Sequence, residues 1–232
     1  MIGKIIDKKE VAEKTLQVTF GVEEPVTFKA GQYIFVTLIN PTYTDDRGNR
    51  RQFSINNSPN EKGVITITTR LSESGFKRGL NKLNIGDRVE LGPIAGAFVL
   101  PEDTQTPLIL IAGGIGITPY LSMLKFIEEQ KLPYQVTLIY SNRTTQSTAY
   151  LEDLKRLNIA GFRLIPIMSD QQDWQGEKRR IDPQFIKEYF PNVNAQNYMV
   201  VGPPGMVSAV QKALMDAGVE AANIKIENFT GY

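Results

Sequence analysis

The sequence predicts two domains of different class: an antiparallel β-barrel over residues 1–101, followed by an α/β domain with a doubly wound parallel sheet over residues 102–232. Three observations support this prediction. Short β-rich stretches separated by turn-forming residues fill the first hundred positions. Apolar strands then alternate with helical segments up to the end of the sequence. Between the two patterns lies a short polar link, EDTQTP, at residues 102–107.

In the first half, the β-rich stretches are bounded by turn-forming groups at 45–49 (DDRGN) and 56–60 (NNSPN). One helix is expected among them, because Phe76, Leu80 and Leu83 fall at helical spacing and Ser74 stands where an N-cap is needed. The predicted strands are Leu16–Phe20, Tyr33–Ile39, Arg51–Ile55, Val64–Thr69 and Arg88–Leu91.

In the second half, residues 108–112 (LILIA) form a continuous apolar run, which is typical of a strand buried on both faces of a parallel sheet. The strands predicted after it are Val136–Tyr140, Arg163–Ile167, Tyr198–Val201 and Ile224–Ile226. The predicted helices are Pro119–Gln130, Ala149–Leu157, Pro183–Tyr189 and Pro204–Ala217.

Composition limits the chemistry of the chain. The 26 Lys and Arg residues nearly balance the 25 Asp and Glu residues, so no global field would gather nucleic acid or an anionic membrane. Cysteine and histidine are both absent, which excludes Cys-ligated iron–sulfur clusters, Cys/His zinc sites, disulfides and Cys or His catalysis. We expect no metal site and no membrane span, and the cytoplasm is the expected compartment because no export feature is visible.

The clearest motif is GGIGITP at Gly113–Pro119, directly after the first parallel strand. Glycines allow the backbone to approach a phosphate closely, and a helix N-terminus offers free N–H groups to an anion. Thr118 is expected either to cap the helix or to donate a hydrogen bond to phosphate, and Pro119 suits the first helical turn. A strict GxGxxG is absent, and a tight turn without a ligand remains the alternative.

A second glycine cluster, GPPGM at Gly202–Met206, follows the strand Tyr198–Val201 and precedes a helix. The carboxyl ends of parallel strands share one edge of the sheet, where ligands bind. The two glycine turns are therefore expected to flank one nucleotide, although an ordinary capped turn explains this second motif better when it is taken alone.

Five motifs together resemble the ferredoxin–NADP reductase family of flavoproteins, and they occur in the family's order over nearly the whole chain. They are RQFS (Arg51–Ser54), GPIAGAF (Gly92–Phe98), GGIGITP, VVGPPGM (Val200–Met206) and ENFTGY (Glu227–Tyr232). The resemblance implies that the barrel binds FAD, that the α/β domain binds NADPH or NADH, and that hydride passes to the flavin. The residues themselves do not separate FAD from FMN.

By this resemblance, Arg51 pairs with the flavin pyrophosphate, Phe53 packs against the isoalloxazine where the family has Tyr, and Ser54 lies near flavin N5. An alternative for this segment is an amphipathic edge strand with Arg outward and Phe inward. The other residues that the resemblance assigns to the flavin are Gln52, Thr69, Ser74, Gly75, Phe76 and Lys77.

On the nucleotide side, the resemblance assigns the pyrophosphate to Gly114, Gly116, Thr118 and Pro119, and the nicotinamide ribose to Gly202, Pro203 and Met206. Ser141 and Arg143 favour a 2′-phosphate and therefore NADPH. The expected residues around the reacting atoms are Ser54, Glu227 and Tyr232, with Phe229 as a second C-terminal aromatic that covers the flavin.

Three functions fit these predictions. The first is a reductase that passes electrons from NAD(P)H through FAD to a separate acceptor, such as a ferredoxin or an oxygenase component. The second is a reductase of small acceptors: free flavin, quinone or ferric chelates. The third is a non-catalytic subunit that binds flavin or nucleotide.

Overall fold

The computed structural model describes residues 1–229, which form two compact units. One unit comprises Met1–Leu100 together with Thr118–Phe126, and the other comprises Pro101–Ile117 and the chain from Ile127 onward.

The first unit is built on a six-stranded antiparallel sheet with strand order β4-β3-β6-β1-β2-β5. The amide of Asn56, two residues after β4, donates to the carbonyl of Thr66 on β5 (2.9 Å), so the two ends of the sheet meet there. This confirms the antiparallel class predicted for the first half. The strands are β1 (Ile2–Ala12), β2 (Thr15–Val22), β3 (Tyr33–Leu38), β4 (Arg50–Ser54), β5 (Val64–Arg70) and β6 (Arg88–Ala95).

Four of the five predicted strands match the observed bounds to within two residues, Arg88–Leu91 ends four residues before β6 does, and β1 is not predicted. Four of the six exposed positions of β1 carry charged side chains, and only Gly3 and Ile5 are buried, so the apolar alternation that marks a strand is hidden. The core of this unit fills from alternate positions of the other strands, as in Val18 and Phe20 of β2 and Ile65 and Ile67 of β5.

Helix α1 (Gly75–Lys82) interrupts the strands as predicted. Ser74 is its N-cap, with an extended backbone and a side chain that accepts a hydrogen bond from Lys77 N (3.2 Å). Phe76 and Leu80 are buried in the core of the sheet. The cap and the buried face together fix where this helix starts and which way its first amides point.

The second unit is built on a five-stranded parallel sheet with strand order β11-β10-β7-β8-β9, as the α/β pattern predicted. Its strands are β7 (Leu108–Gly113), β8 (Val136–Asn142), β9 (Arg163–Met168), β10 (Asn197–Gly202) and β11 (Ile224–Asn228). The helices between its strands are α2 (Ile117–Gln130), of which Thr118–Phe126 belongs to the first unit, α3 (Leu151–Lys155), α4 (Pro183–Tyr189) and α5 (Pro204–Asp216).

The central strand β7 is buried along its whole length, which explains its continuous apolar sequence. Strands β8 and β9 extend the sheet on one side of β7, and β10 and β11 extend it on the other. The order of the chain therefore reverses at β7, which is the position where doubly wound sheets bind ligands. Among residues 1–229 no helix is long and apolar enough to cross a bilayer.

Candidate functional site

The start of α1, in the first unit, carries a cluster of positively charged side chains. Lys77, in the first turn, is only 8% exposed, and Arg47, Arg51 and Arg70 lie near enough to act on its charge. Burial and, secondarily, these three cations lower the pKa of Lys77 to about 8. These positive charges repel one another, and a bound anion would reduce that repulsion. The cluster, together with the N-terminal amides of α1, fits a flavin diphosphate.

Arg51 organises the loop in front of α1. Its Nη1 donates to the carbonyls of Arg47 (2.8 Å), Gly48 (2.9 Å) and Arg50 (2.8 Å). Its Nη2 donates to Asp45 Oδ1 at 2.5 Å. The guanidinium is therefore held in one orientation by its own loop, which is the preorganisation that a bidentate phosphate contact requires.

Arg51 and Phe53 lie on the same face of β4. The Arg51 guanidinium is 5.4 Å from the Phe76 ring, and the Phe53 and Phe76 rings are 5.6 Å apart. The alternative with Arg outward and Phe inward is therefore wrong, because residues two apart on a strand share a face. Two aromatic rings, tilted by 33° to each other, therefore lie beside the Arg51 side chain, and aromatic rings can pack against a flavin ring system.

Three other residues predicted to contact the flavin do not lie on the surface formed by Arg51 and Phe53. Ser54 is buried at the end of β4, opposite Tyr33. Gln52 is exposed on the face of β4 opposite that of Arg51 and Phe53, so only its backbone shares their neighbourhood. Thr69 shares its face of β5 with the core residues Ile65 and Ile67, and its hydroxyl contacts the Arg70 carbonyl at 3.4 Å.

On the nucleotide side, the two glycine turns lie against each other, as expected from the adjacent strands β7 and β10. A Cβ atom at Gly116 would lie 2.5 Å from the Val201 carbonyl oxygen, and one at Gly202 would lie 3.2 Å from the backbone of Gly113. The Met206 sulfur fills the space beside Gly113, where a Cβ would come within 2.5 Å of it. Only glycine fits this close approach of the two turns.

The helix after this turn begins earlier than predicted. A 3-10 turn, Gly114–Gly116, leads directly into α2 at Ile117, and Gly116 is the N-cap without a side-chain hydrogen bond. The expectation that Thr118 caps the helix is therefore wrong. Thr118 is buried inside the first turn, and Pro119 lies in that turn as predicted.

The carboxyl ends of β8 and β9 carry the predicted coenzyme residues together with an acidic residue that the sequence analysis missed. Arg143 is exposed, and its Nε lies 3.8 Å from Asp170 Oδ2. The two loops are also joined through the Asp170 amide, which donates to the Arg143 carbonyl (2.9 Å). Ser141 stands between Gly113 of β7 and Ile167 of β9. A signal for Asp170 existed, since it follows the third parallel strand.

Glu227 lies beside the second glycine turn, opposite Val201 in the β10–β11 pairing. Burial raises its pKa from the ordinary 4.5 to about 7, and the nearby Lys225 only partly opposes this. Within the described part of the chain its Oε2 is buried without a hydrogen-bond partner. The amide of Phe229 donates to the Gly202 carbonyl (2.9 Å), which brings Phe229 to the same turn. Tyr232 lies outside the described residues.

The two halves of the chain match two known domain families. The Oxidoreductase FAD-binding domain family matches residues 3–99, and the Oxidoreductase NAD-binding domain family matches residues 110–212. The reductase subunit of an aromatic O-demethylase from Amycolatopsis is 31% identical over 99% of this chain and 69% of that protein. This chain belongs to the ferredoxin–NADP reductase-like family of flavoproteins.

Other members of the family agree with this result. Flavohemoprotein A of Dictyostelium discoideum is 26% identical over 97% of this chain and 59% of its own length. Reductase component 1 of a Comamonas terephthalate 1,2-dioxygenase is 30% identical over 92% of this chain and 63% of its own length. The chain thus spans about three-fifths to two-thirds of these relatives.

Solved structures show the same fold. A cytochrome P450 reductase from Amycolatopsis superposes with a TM-score of 0.82 at 27% identity, covering 98% of this chain and 68% of that one. A ferredoxin NADP⁺ reductase from Neisseria gonorrhoeae, with bound FAD and NADP, gives a TM-score of 0.84 at 22% identity and covers 98% of both chains. The predicted family, the two-domain fold and the cofactors FAD and NAD(P) are confirmed.

Proposed function

We propose that this flavoprotein takes hydride from a reduced nicotinamide nucleotide and passes the electrons to a separate acceptor, a ferredoxin or an oxygenase component. The observation that carries the proposal is the pairing, in one chain, of a cation cluster at α1 with a double-glycine cradle at β7 and β10. The relatives described as reductase subunits of a demethylase and a dioxygenase support this acceptor class.

We propose that residues 1–101 hold the flavin and residues 102–232 hold the nucleotide. A bound flavin accepts hydride at N5 and releases electrons singly. The protein's part is to bind and orient. Arg51 and Lys77 neutralise the diphosphate, Phe53 supports the ring system, and Ser54 donates a hydrogen bond beside N5. Gln52 and Thr69 act through backbone and packing.

For the nucleotide, we propose that Gly114, Gly116 and Thr118 hold the diphosphate and that Pro119 fixes the first turn of the helix behind it. Gly202, Pro203 and Met206 border the nicotinamide ribose, and Glu227 lies next to that turn. Tyr232 and Phe229 are proposed to cover the flavin face. None of these contacts requires a Cys or His side chain, which the chain lacks.

We further propose that NADH is preferred to NADPH, against the expectation drawn from Ser141 and Arg143. Asp170 places a carboxylate beside Arg143, which offsets the charge that a 2′-phosphate needs. An acidic residue at a strand end favours the free ribose hydroxyls of NADH.

One experiment tests the main proposal. The purified chain is mixed anaerobically with NADH or NADPH in a stopped-flow instrument, and flavin bleaching is followed. We expect a yellow protein that bleaches within about a second, as turnover on the usual enzymatic timescale requires. A colourless chain that refuses added FAD would contradict the proposal.

The acceptor is tested separately by steady-state turnover with a ferredoxin, free flavin and a ferric chelate. We expect kcat/KM to be highest for the ferredoxin. Equal or higher values for the small acceptors would favour the second function, a reductase of small molecules. Flavin binding without bleaching by either nucleotide would favour the third, a non-catalytic subunit.

A further inference from the structure

The loop between β3 and β4 lies directly on the start of α1. A Cβ atom at Gly75 would lie 2.3 Å from the carbonyl carbon of Thr44, so loop and helix are in backbone contact. Inside the loop, the Gly48 amide donates to the Asp45 carbonyl (2.8 Å), which closes a tight turn. This turn presents the Asp45 side chain to the helix terminus.

The Asp45 carboxylate uses both of its oxygens there. Oδ1 accepts from Arg51 Nη2 (2.5 Å) and from the Arg47 amide (3.1 Å). Oδ2 accepts from the amide of Phe76 (3.3 Å), in the first turn of α1. Partial desolvation raises the pKa of Asp45, but these hydrogen bonds outweigh it and lower the pKa below its ordinary value. The carboxylate is therefore ionised at neutral pH.

These donors are the ones that the proposed flavin site offers to a phosphate group: an arginine fork and a helix N-terminal amide. A carboxylate and a phosphate oxygen compete for them, because both are anionic acceptors. Positive charge remains in excess in this cluster, since Arg47, Arg51 and Arg70 all act on the charge of Lys77, while Asp45 pairs with Arg51. A diphosphate satisfies the cluster better than one carboxylate does.

We propose that Asp45 is an internal anion that occupies the flavin-phosphate anchor in the absence of flavin and leaves it when the phosphate binds. The inference rests on the proposed flavin site in the first unit. The exchange needs only a rotation of the Asp45 side chain, which is 25% exposed. The loop itself stays in place, because Arg51 Nη1 holds its carbonyls independently of Asp45. Asp45 thus competes with the incoming phosphate and weakens net flavin affinity.

The opposite role is a carboxylate that remains beside Arg51 in the flavin-bound protein and positions it. The two roles predict opposite changes in flavin affinity for one substitution. Asp45→Asn removes the competing charge and keeps the size of the side chain. A competitor predicts tighter flavin binding in this variant, whereas a positioning residue predicts weaker binding.

The test is an equilibrium fluorescence titration of the full chain, freed of flavin, with FAD, FMN and riboflavin. We expect D45N to lower the Kd for FAD and FMN about tenfold, since charge-assisted hydrogen bonds are at stake. The Kd for riboflavin, which has no phosphate, should stay within about twofold. The matched control is D46N, which removes the same charge one residue away at an exposed position and should change each Kd by less than about twofold.

Three outcomes overturn the inference: an unchanged Kd for FAD in D45N, a raised one, or an equal gain for riboflavin. A thermal melt of flavin-free D45N and D45A checks that both variants are folded, and D45A must repeat the sign seen with D45N. Failure of the wild-type chain to bind any flavin rejects the proposed function instead, so the two failures are distinguishable.

Discussion

Glu227 carries a raised pKa that links stability to pH at the scale of one residue. Its pKa rises from 4.5 in the unfolded chain to about 7 in the folded one, so the folded chain binds more protons between these values. Stability from this group is therefore lost as pH increases from 4.5 to 7. Glu227→Gln should be more stable than the wild type at about pH 8 and closer to it at about pH 5.

The measurement is the urea midpoint of both proteins at the two pH values. The control is Glu220→Gln, at an exposed position near the start of the same strand, which should leave the pH profile unchanged. Parallel profiles for the wild type and Glu227→Gln would show that burial does not disfavour the Glu227 carboxylate.

At the same scale, we expect Asp170 to influence the proposed preference for NADH over NADPH. Asp170→Asn removes the charge that faces Arg143 and keeps the side-chain size. We expect the ratio of kcat/KM for NADPH to that for NADH to rise about tenfold, as the loss of one close repulsive charge allows. Asp173→Asn, at an exposed position further along the loop, should leave the ratio unchanged. An unchanged ratio in Asp170→Asn would show that the 2′-group of the bound nucleotide does not lie near Asp170.

The turn between β7 and α2 depends on glycine at the scale of the element. Gly116 has φ −59° and ψ −8°, which any residue adopts, so only space demands glycine there. Gly116→Ala puts a methyl group 2.5 Å from the Val201 carbonyl and should cost about 1–3 kcal/mol of unfolding free energy. NAD(P)H affinity should fall with it, because the two turns are pushed apart.

The matched control is Gly205→Ala in the first turn of α5, where a Cβ atom meets nothing within 4 Å. This variant should be neutral or gain up to about 1 kcal/mol in the free energy of unfolding, because alanine favours helix. Urea denaturation measures both variants. Equal effects of the two substitutions would contradict a steric role for Gly116.

The contribution of the Ser74 N-cap to the stability of helix α1 can also be measured. Ser74→Ala removes the side-chain acceptor of the Lys77 amide and should lower the free energy of unfolding by about 1 kcal/mol. Ser72→Ala, at an exposed position before the helix, is the control and should be neutral. An equal loss in both variants would show that the cap contributes nothing to stability.

Sequence reasoning succeeded where one local rule decides the structure. The buried strand β7, the Ser74 cap and the glycines at 113–116 follow from apolar runs, capping chemistry and backbone approach. It failed where contacts between distant segments decide. No pattern in DDRGN indicates that Asp45 reaches the Phe76 amide, 31 positions along the chain. Asp170 was missed because the rule for NAD-binding sheets places the acidic residue after the second parallel strand, and Asp170 follows the third.

A similar limit applies to the NNSPN segment after β4 (residues 56–60), which the sequence predicts as a turn. The structure buries Asn57, whose Oδ1 accepts from the Thr66 amide (2.8 Å) and whose carbonyl accepts from Ser122 Oγ (2.7 Å). Buried polar residues satisfied by distant partners have the same composition as a solvated turn, so the sequence does not distinguish them.

At the scale of the whole molecule, composition determines how many electrons the chain stores. A hydride carries two electrons, and one flavin accepts both. Iron–sulfur clusters need several thiolate ligands, or a thiolate–imidazole set, and this chain has neither Cys nor His. No second store of that kind exists within these 232 residues. If the proposed function holds, the electrons must therefore leave these 232 residues before a second hydride is accepted.

This predicts the endpoint of an anaerobic titration of the flavin-loaded chain with NADH. Bleaching should be complete at about one equivalent of NADH per flavin, with no further uptake. Adding an oxidised ferredoxin should then restore the flavin absorbance, because the acceptor removes what the chain cannot hold. The control is the same titration without ferredoxin, in which the bleached spectrum should persist. An endpoint near two equivalents would reveal a second electron store that neither cysteine nor histidine explains.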